Sequence, residues 1–177
     1  GARNAGTTAV CRESGGNLTV ELSGKGTDAD LFLDRLLERE RPEQCFIDAP
    51  LSLPMAFFGR SDDFLYRKAD RELGAMSPMF LGGLTARAIR MKHRHPGIRF
   101  TESYPRQLVR LLGLERYYKT SMEKFWSDLA VHLPLPVQGP PPTWHEIDAV
   151  LAWLSGWRYA HRKASKYGQK EEGEVWI

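Results

Sequence analysis

The stretch Cys45-Phe46-Ile47-Asp48-Ala49-Pro50 constrains the chain more than any other. Three apolar residues run into an aspartate, and the proline two residues later cannot donate to a sheet ladder. A short apolar run that ends this way reads as a strand buried on both faces, closing at Asp48. Ligands and metals gather at strand ends in open α/β sheets, so Asp48 stands at a candidate site. A turn aspartate ahead of a proline is the plainer reading of the same residues.

The flanking segments predict an α/β domain with a mixed sheet. Strand-like runs at 8–13 and 17–22 are separated by Ser14-Gly15-Gly16, a hairpin signal. A helix is expected over 27–41, opened by Thr27 with Asp30 in a capping-box spacing and stopped by Pro42. Further helices are expected at 61–73, with Ser61 or Asp62 as cap, and at 84–93, 105–112 and 121–132. A strand at 98–103 carries Glu102 near its end. Prolines crowd 133–142, which predicts a stiff, extended path. Thr143-Trp144-His145-Glu146 then opens a last helix, with Ile147, Val150, Leu151 and Leu154 on its core face. Ala149, Ala152 and Gly156 give that helix a small-residue surface for close packing, and 174–177 reads as a short edge strand. With 177 residues the chain is long enough for one domain, 1–177, carrying a helical insertion at about 55–95. No apolar run approaches the roughly 20 residues that span a bilayer, and no secretory signal is evident. Cys11 and Cys45 show no ligand spacing and read as buried thiols. A cytoplasmic protein with no membrane partner is the expectation.

Asp48 and Glu102 end two expected strands, and Asp148 lies one turn into the last helix. Were that helix to cross the sheet near both strand ends, the three carboxylates would converge and repel. Such a cluster needs a cation or a raised pKa. Oxygen ligands with open positions suit Mg²⁺ or Mn²⁺, and the resulting chemistry is phosphodiester hydrolysis. Glu146 is better explained as the partner of Thr143 in its capping box.

Charge is unevenly spread. Residues 60–119 hold 13 basic and 6 acidic side chains, although the whole chain carries only +3. Arg87, Arg90 and Arg94 recur at helical spacing, with Arg67 and Arg71 upstream, and could line a phosphate backbone. A solvated helix face is the commoner meaning of such a stripe. His93 and His95 read as surface histidines, and the aromatic residues near the last helix as core.

These pieces resemble, in order and spacing, the domain of unknown function 429 family of predicted nucleases with a ribonuclease H-like fold. The matching pieces are residues 46–54, then Arg67-Lys68-Ala69-Asp70-Arg71-Glu72-Leu73, Glu102-Ser103-Tyr104-Pro105, Tyr118-Lys119, His145-Glu146-Ile147-Asp148-Ala149 and the tail. The resemblance implies that Asp48, Glu102 and Asp148 are catalytic and hold metal. It also implies a first strand with an aspartate ahead of the hairpin, which this sequence does not contain. Three functions follow as expectations: a metal-dependent nuclease; a non-catalytic nucleic-acid-binding module; and, least favoured, an ATP-dependent phosphotransferase of related core. Oligomeric state is left open.

Overall fold

The structure, a computed structural model, describes residues 6–177. In chain order its elements are β1 (Ala9–Ser14), β2 (Asn17–Leu22), α1 (Ala29–Glu40), β3 (Gln44–Ile47), a 3₁₀ turn (Met55–Phe58), α2 (Lys68–Leu73) and α3 (Gly82–Arg94). There follow β4 (Arg99–Glu102), α4 (Pro105–Leu111), α5 (Met122–Ala130), α6 (Trp144–Ala160), β5 (Lys166–Gln169) and β6 (Gly173–Trp176). The protein is α/β with a mixed sheet, as expected.

The β1–β2 hairpin turns through Gly15 and Gly16, both at positive φ, the geometry that a two-residue hairpin loop with right-handed strand twist requires. A separate four-stranded sheet has the order β3-β4-β6-β5, with β3, β4 and β6 parallel and β5 antiparallel to β6. The tail therefore forms an interior strand, β6, and not the edge strand expected of it. The edge on that side is β5, whose Lys-Tyr-Gly-Gln lacks any alternation to announce it, and β3 is the other edge.

Two helix starts also differ from expectation. Helix α1 is capped by Asp28, whose carboxylate accepts from the amides of Asp30 and Leu31, and not by Thr27. The side chain of Asp30 is drawn instead to arginines on α3. The helix expected over 61–73 is reduced to α2, because Asp63 accepts from the amides of Leu65 and Tyr66 and holds a turn there. At α6 the expected cap is present: the amide of Glu146 donates to the Thr143 hydroxyl, which in turn donates to the Glu146 carboxylate.

Helix α6 organises the packing. It touches both strands of the hairpin, β3 and β6 of the larger sheet, and α4. Its buried Ile147, Val150, Leu151 and Leu154 meet Leu108, Val109, Phe125, Leu129 and Ile177 in the main core. Gly156 permits the close crossing over β3, since a Cβ there would stand 2.8 Å from the Phe46 ring. The proline-rich path is pinned to the hairpin: Leu18 donates to the Pro136 carbonyl and accepts from the Gln138 amide.

Although both sheets rest on α6, no strand pairing joins β1 to β3. A cleft of about 820 Å³ lies along them, lined by β1, β3, apolar residues of α1, and Ala149, Ala152 and Gly156 of α6. Asp48 and Asp148 are in its wall.

Candidate functional site

Asp48 follows the last residue of β3, where the ladder to β4 ends and Pro50 turns the chain away. Its side chain opens onto the cleft and has no hydrogen-bond or ion-pair partner among the described residues. Asp48 is itself exposed to the cleft; the protein mass around it and the like charge of Asp148 push its carboxyl up towards about 7, against a downward pull from Lys119. Water in the cleft tempers the first of these causes.

Asp148 comes to the same cleft from the first turns of α6. One of its oxygens accepts from the Tyr118 hydroxyl at 2.8 Å, and the other from Lys119 Nζ. Lys119 holds a left-handed backbone (φ 61°) and sets its ammonium beside the rings of Tyr118 and Trp144. A non-glycine residue in that region is uncommon, and such strain is concentrated at functional sites. Desolvation, and then Asp148, push the Tyr118 phenol far up, so that it stays a donor. Neither Lys119 nor Tyr118 announces itself by spacing; the only signal is their adjacency within the motif quoted above.

Glu102 does not join this pair. Its side chain is buried and forms a two-pronged pair with Arg67, at 2.6 and 2.9 Å, while one oxygen also accepts from the Leu51 amide at 2.8 Å. Arg67, itself 2 % exposed, reaches Asp70 with Nε and Nη2 and the Ser52 hydroxyl with Nη1. Every oxygen of Glu102 is therefore spent inside the protein. Of the three acids expected to meet, the structure brings Asp48 and Asp148 to one cleft and holds Glu102 on Arg67 and Leu51. Among the described residues, no three of His, Cys, Asp and Glu come together as a group that could hold a metal ion.

Of the residues expected to contact nucleic acid, the structure encloses Arg67 and pairs Arg71, Arg87, Arg90 and Arg94 with carboxylates, Arg71, Arg90 and Arg94 staying largely exposed. Arg67 is enclosed and cannot reach a phosphate backbone. Arg87 and Arg90 both pair with Asp30 on α1, and Arg94 pairs with Asp34, so the stripe clamps α3 to α1. Arg71 is exposed but pairs with Asp63 and lies over the Tyr66 ring. His95 is not a surface residue: its Nε2 lies 2.9 Å from Asp34 and its side chain is largely covered. The helical spacing of the arginines was legible; the acidic residues 57 to 60 positions away that occupy them were not.

The raised Asp48 carboxyl has a consequence for stability. Folding lifts its pKa from the ordinary 3.8, so ionisation opposes folding increasingly as pH rises from about 4 towards 7. After allowance for solvent screening, Asp48→Asn is expected to stabilise the protein by about 1 kcal/mol near pH 8 and by almost nothing near pH 4. Thermal melts of both proteins across this range check it; an equal shift at both ends contradicts the assignment.

No family model, curated protein or solved structure matches this chain. The fold and site define an α/β protein whose cleft carries an apposed aspartate pair. Among the described residues, no helix is long and apolar enough to cross a membrane.

Proposed function

We propose that the protein is a metal-dependent phosphodiesterase acting on nucleic acid, with Asp48 and Asp148 as its metal-binding pair. The observation that carries this reading is the unpaired Asp48 carboxylate, open to the cleft and facing the like charge of Asp148. Two carboxylates with open positions beside them are enough for Mg²⁺, which keeps waters and takes its remaining ligands from substrate phosphate. The donor set fits: Asp48 brings two free oxygens, and Asp148 brings one that would first release Lys119. Such an ion polarises a phosphoryl oxygen and activates water.

The chain's own groups divide the other tasks. Tyr118 orients Asp148 through its hydroxyl. Lys119, once freed from Asp148, would meet an anionic substrate oxygen. Support for nucleic acid as the substrate comes from the resemblance, since the arginines of α3 are occupied. The ribonuclease H-like fold belongs to the same proposal. An extended strand between β1 and β3, antiparallel to one and parallel to the other, would fuse the two sheets across the cleft.

The test is Mn²⁺ binding together with Mg²⁺- or Mn²⁺-supported cleavage of unbiased DNA and RNA. Asp48→Asn and Asp148→Asn are each expected to weaken Mn²⁺ binding by about tenfold or more and to remove cleavage. Undiminished binding and cleavage in the double variant would refute the assignment. Salt-sensitive nucleic-acid binding without turnover would favour the non-catalytic module.

A further inference from the structure

Eight of the eleven large hydrophobic residues that the described structure leaves exposed fall between positions 57 and 84. They form one face. Phe57 meets Phe64 edge-on with ring centroids 5.5 Å apart, and Tyr66 meets Phe80 edge-on at 6.2 Å. The Ser77 hydroxyl donates to the Leu65 carbonyl and ties the two groups together, with Met76 alongside. Phe58 and Phe80 are the most open, at 62 % and 63 %. Scattered apolar residues on a surface need no explanation, but a contiguous aromatic and methionine face marks an interface.

The charges around this face select its occupant. Arg60, Lys68 and Arg71 are balanced by Asp62, Asp63 and Glu72, so the rim carries no net positive charge. Nucleic acid and anionic membranes both call for a basic rim. Lys68, Arg71, Asp63 and Glu72 already pair among themselves. Arg60 and Asp62 do not: both are exposed, two residues apart and of opposite sign, and their side chains have no hydrogen bond or ion pair among the described residues. Under a two-fold axis any contact between one residue and another across the interface occurs twice, so a single Arg60–Asp62 contact between copies would be matched by its reciprocal.

We propose that this face is the interface of a two-fold homodimer, closed by the aromatic cluster at its centre and reciprocal Arg60–Asp62 pairs at its rim. Sedimentation over low to high micromolar concentration is expected to show a reversible monomer–dimer equilibrium. Phe58→Asp and Phe80→Asp, both at exposed positions, are expected to raise the dimer dissociation constant about a hundredfold each, with melting unchanged at concentrations where the wild type is monomeric. Val131→Asp, at an exposed hydrophobic residue outside the 57–84 segment, is expected to change nothing. Arg60→Glu alone weakens the dimer, and adding Asp62→Arg restores it, an exchange that a merely structural role for either residue would not reproduce. A strict monomer at every concentration overturns the proposal. So does a dimer indifferent to Phe58 and Phe80, or binding of anionic vesicles or single-stranded DNA that is lost with them.

Discussion

Arg67→Met is expected to destabilise the protein by about 3–5 kcal/mol, because it leaves two buried carboxylates without their cation. Asp70 and Glu102 are both enclosed, and Arg67 is the guanidinium that both share. Against a total stability of about 5–15 kcal/mol this loss is severe, equivalent to a fall of roughly 10 °C in melting temperature. The cluster also ties distant segments together. The Ser52 hydroxyl donates to the Glu172 carbonyl, and the Glu172 carboxylate accepts from the amides of Met55 and Lys68. Glu102→Gln in the wild-type background is expected to lose less, since the amide still accepts from Leu51 and Arg67 keeps Asp70. Combining Arg67→Met with Glu102→Met should cost less than the sum of the two single changes, the signature of a coupled pair. Chemical denaturation of the four proteins measures this coupling. Additive losses would mean that the Arg67–Glu102 pair holds nothing together. The stability effects should be indifferent to divalent ions, which separates Glu102 from the aspartates of the cleft.

The second large effect is expected at the β5–β6 hairpin. Gly168 holds φ +84°, and a Cβ there would stand 2.6 Å from the Gly173 carbonyl and 2.8 Å from the Ala69 Cβ. Gly173 holds φ +110°, and its missing Cβ faces the Ser52 hydroxyl, with Arg67 and Glu102 just behind. Positive φ and close approach act together at both positions, so Gly168→Ala and Gly173→Ala should each cost about 2–4 kcal/mol. The direction of relief differs. Gly168 abuts backbone that cannot yield, whereas Gly173 presses on side chains of the ion cluster. Gly173→Ala should therefore be non-additive with Arg67→Met, and Gly168→Ala nearly additive with it. Melting temperatures of the singles and doubles decide this, and a Gly168→Ala protein as stable as wild type would contradict the close packing of α2 on β5.

Much of the architecture was legible because it is local. The apolar run into Asp48 and Pro50 placed β3 and its exposed end. The two glycines closed the first hairpin, and Thr143 with Glu146 opened α6. Gly156 and its alanine neighbours foretold a close crossing, which Phe46 supplies. What failed depended on partners far along the chain. Glu102 and Asp48 look alike in sequence, each an acid at the end of a strand, but only Glu102 meets a buried guanidinium. Arg87, Arg90 and Arg94 share a helix face as their spacing says, yet whether that face meets solvent, phosphate or carboxylate depends on α1. β5 carries no pattern, and the interior place of β6 is set by its pairing with β4 and β5.

The sequence by itself determined the α/β class, the turns and caps, and the presence of Asp48 and Asp148 at the ends of secondary elements. These follow from backbone preferences and side-chain period, which act over a few residues. Only the tertiary structure decided which acids and arginines cancel one another and which remain available. A charge's state depends on the neighbours that folding brings to it and on the water that folding removes. Neither is written in its neighbours along the chain.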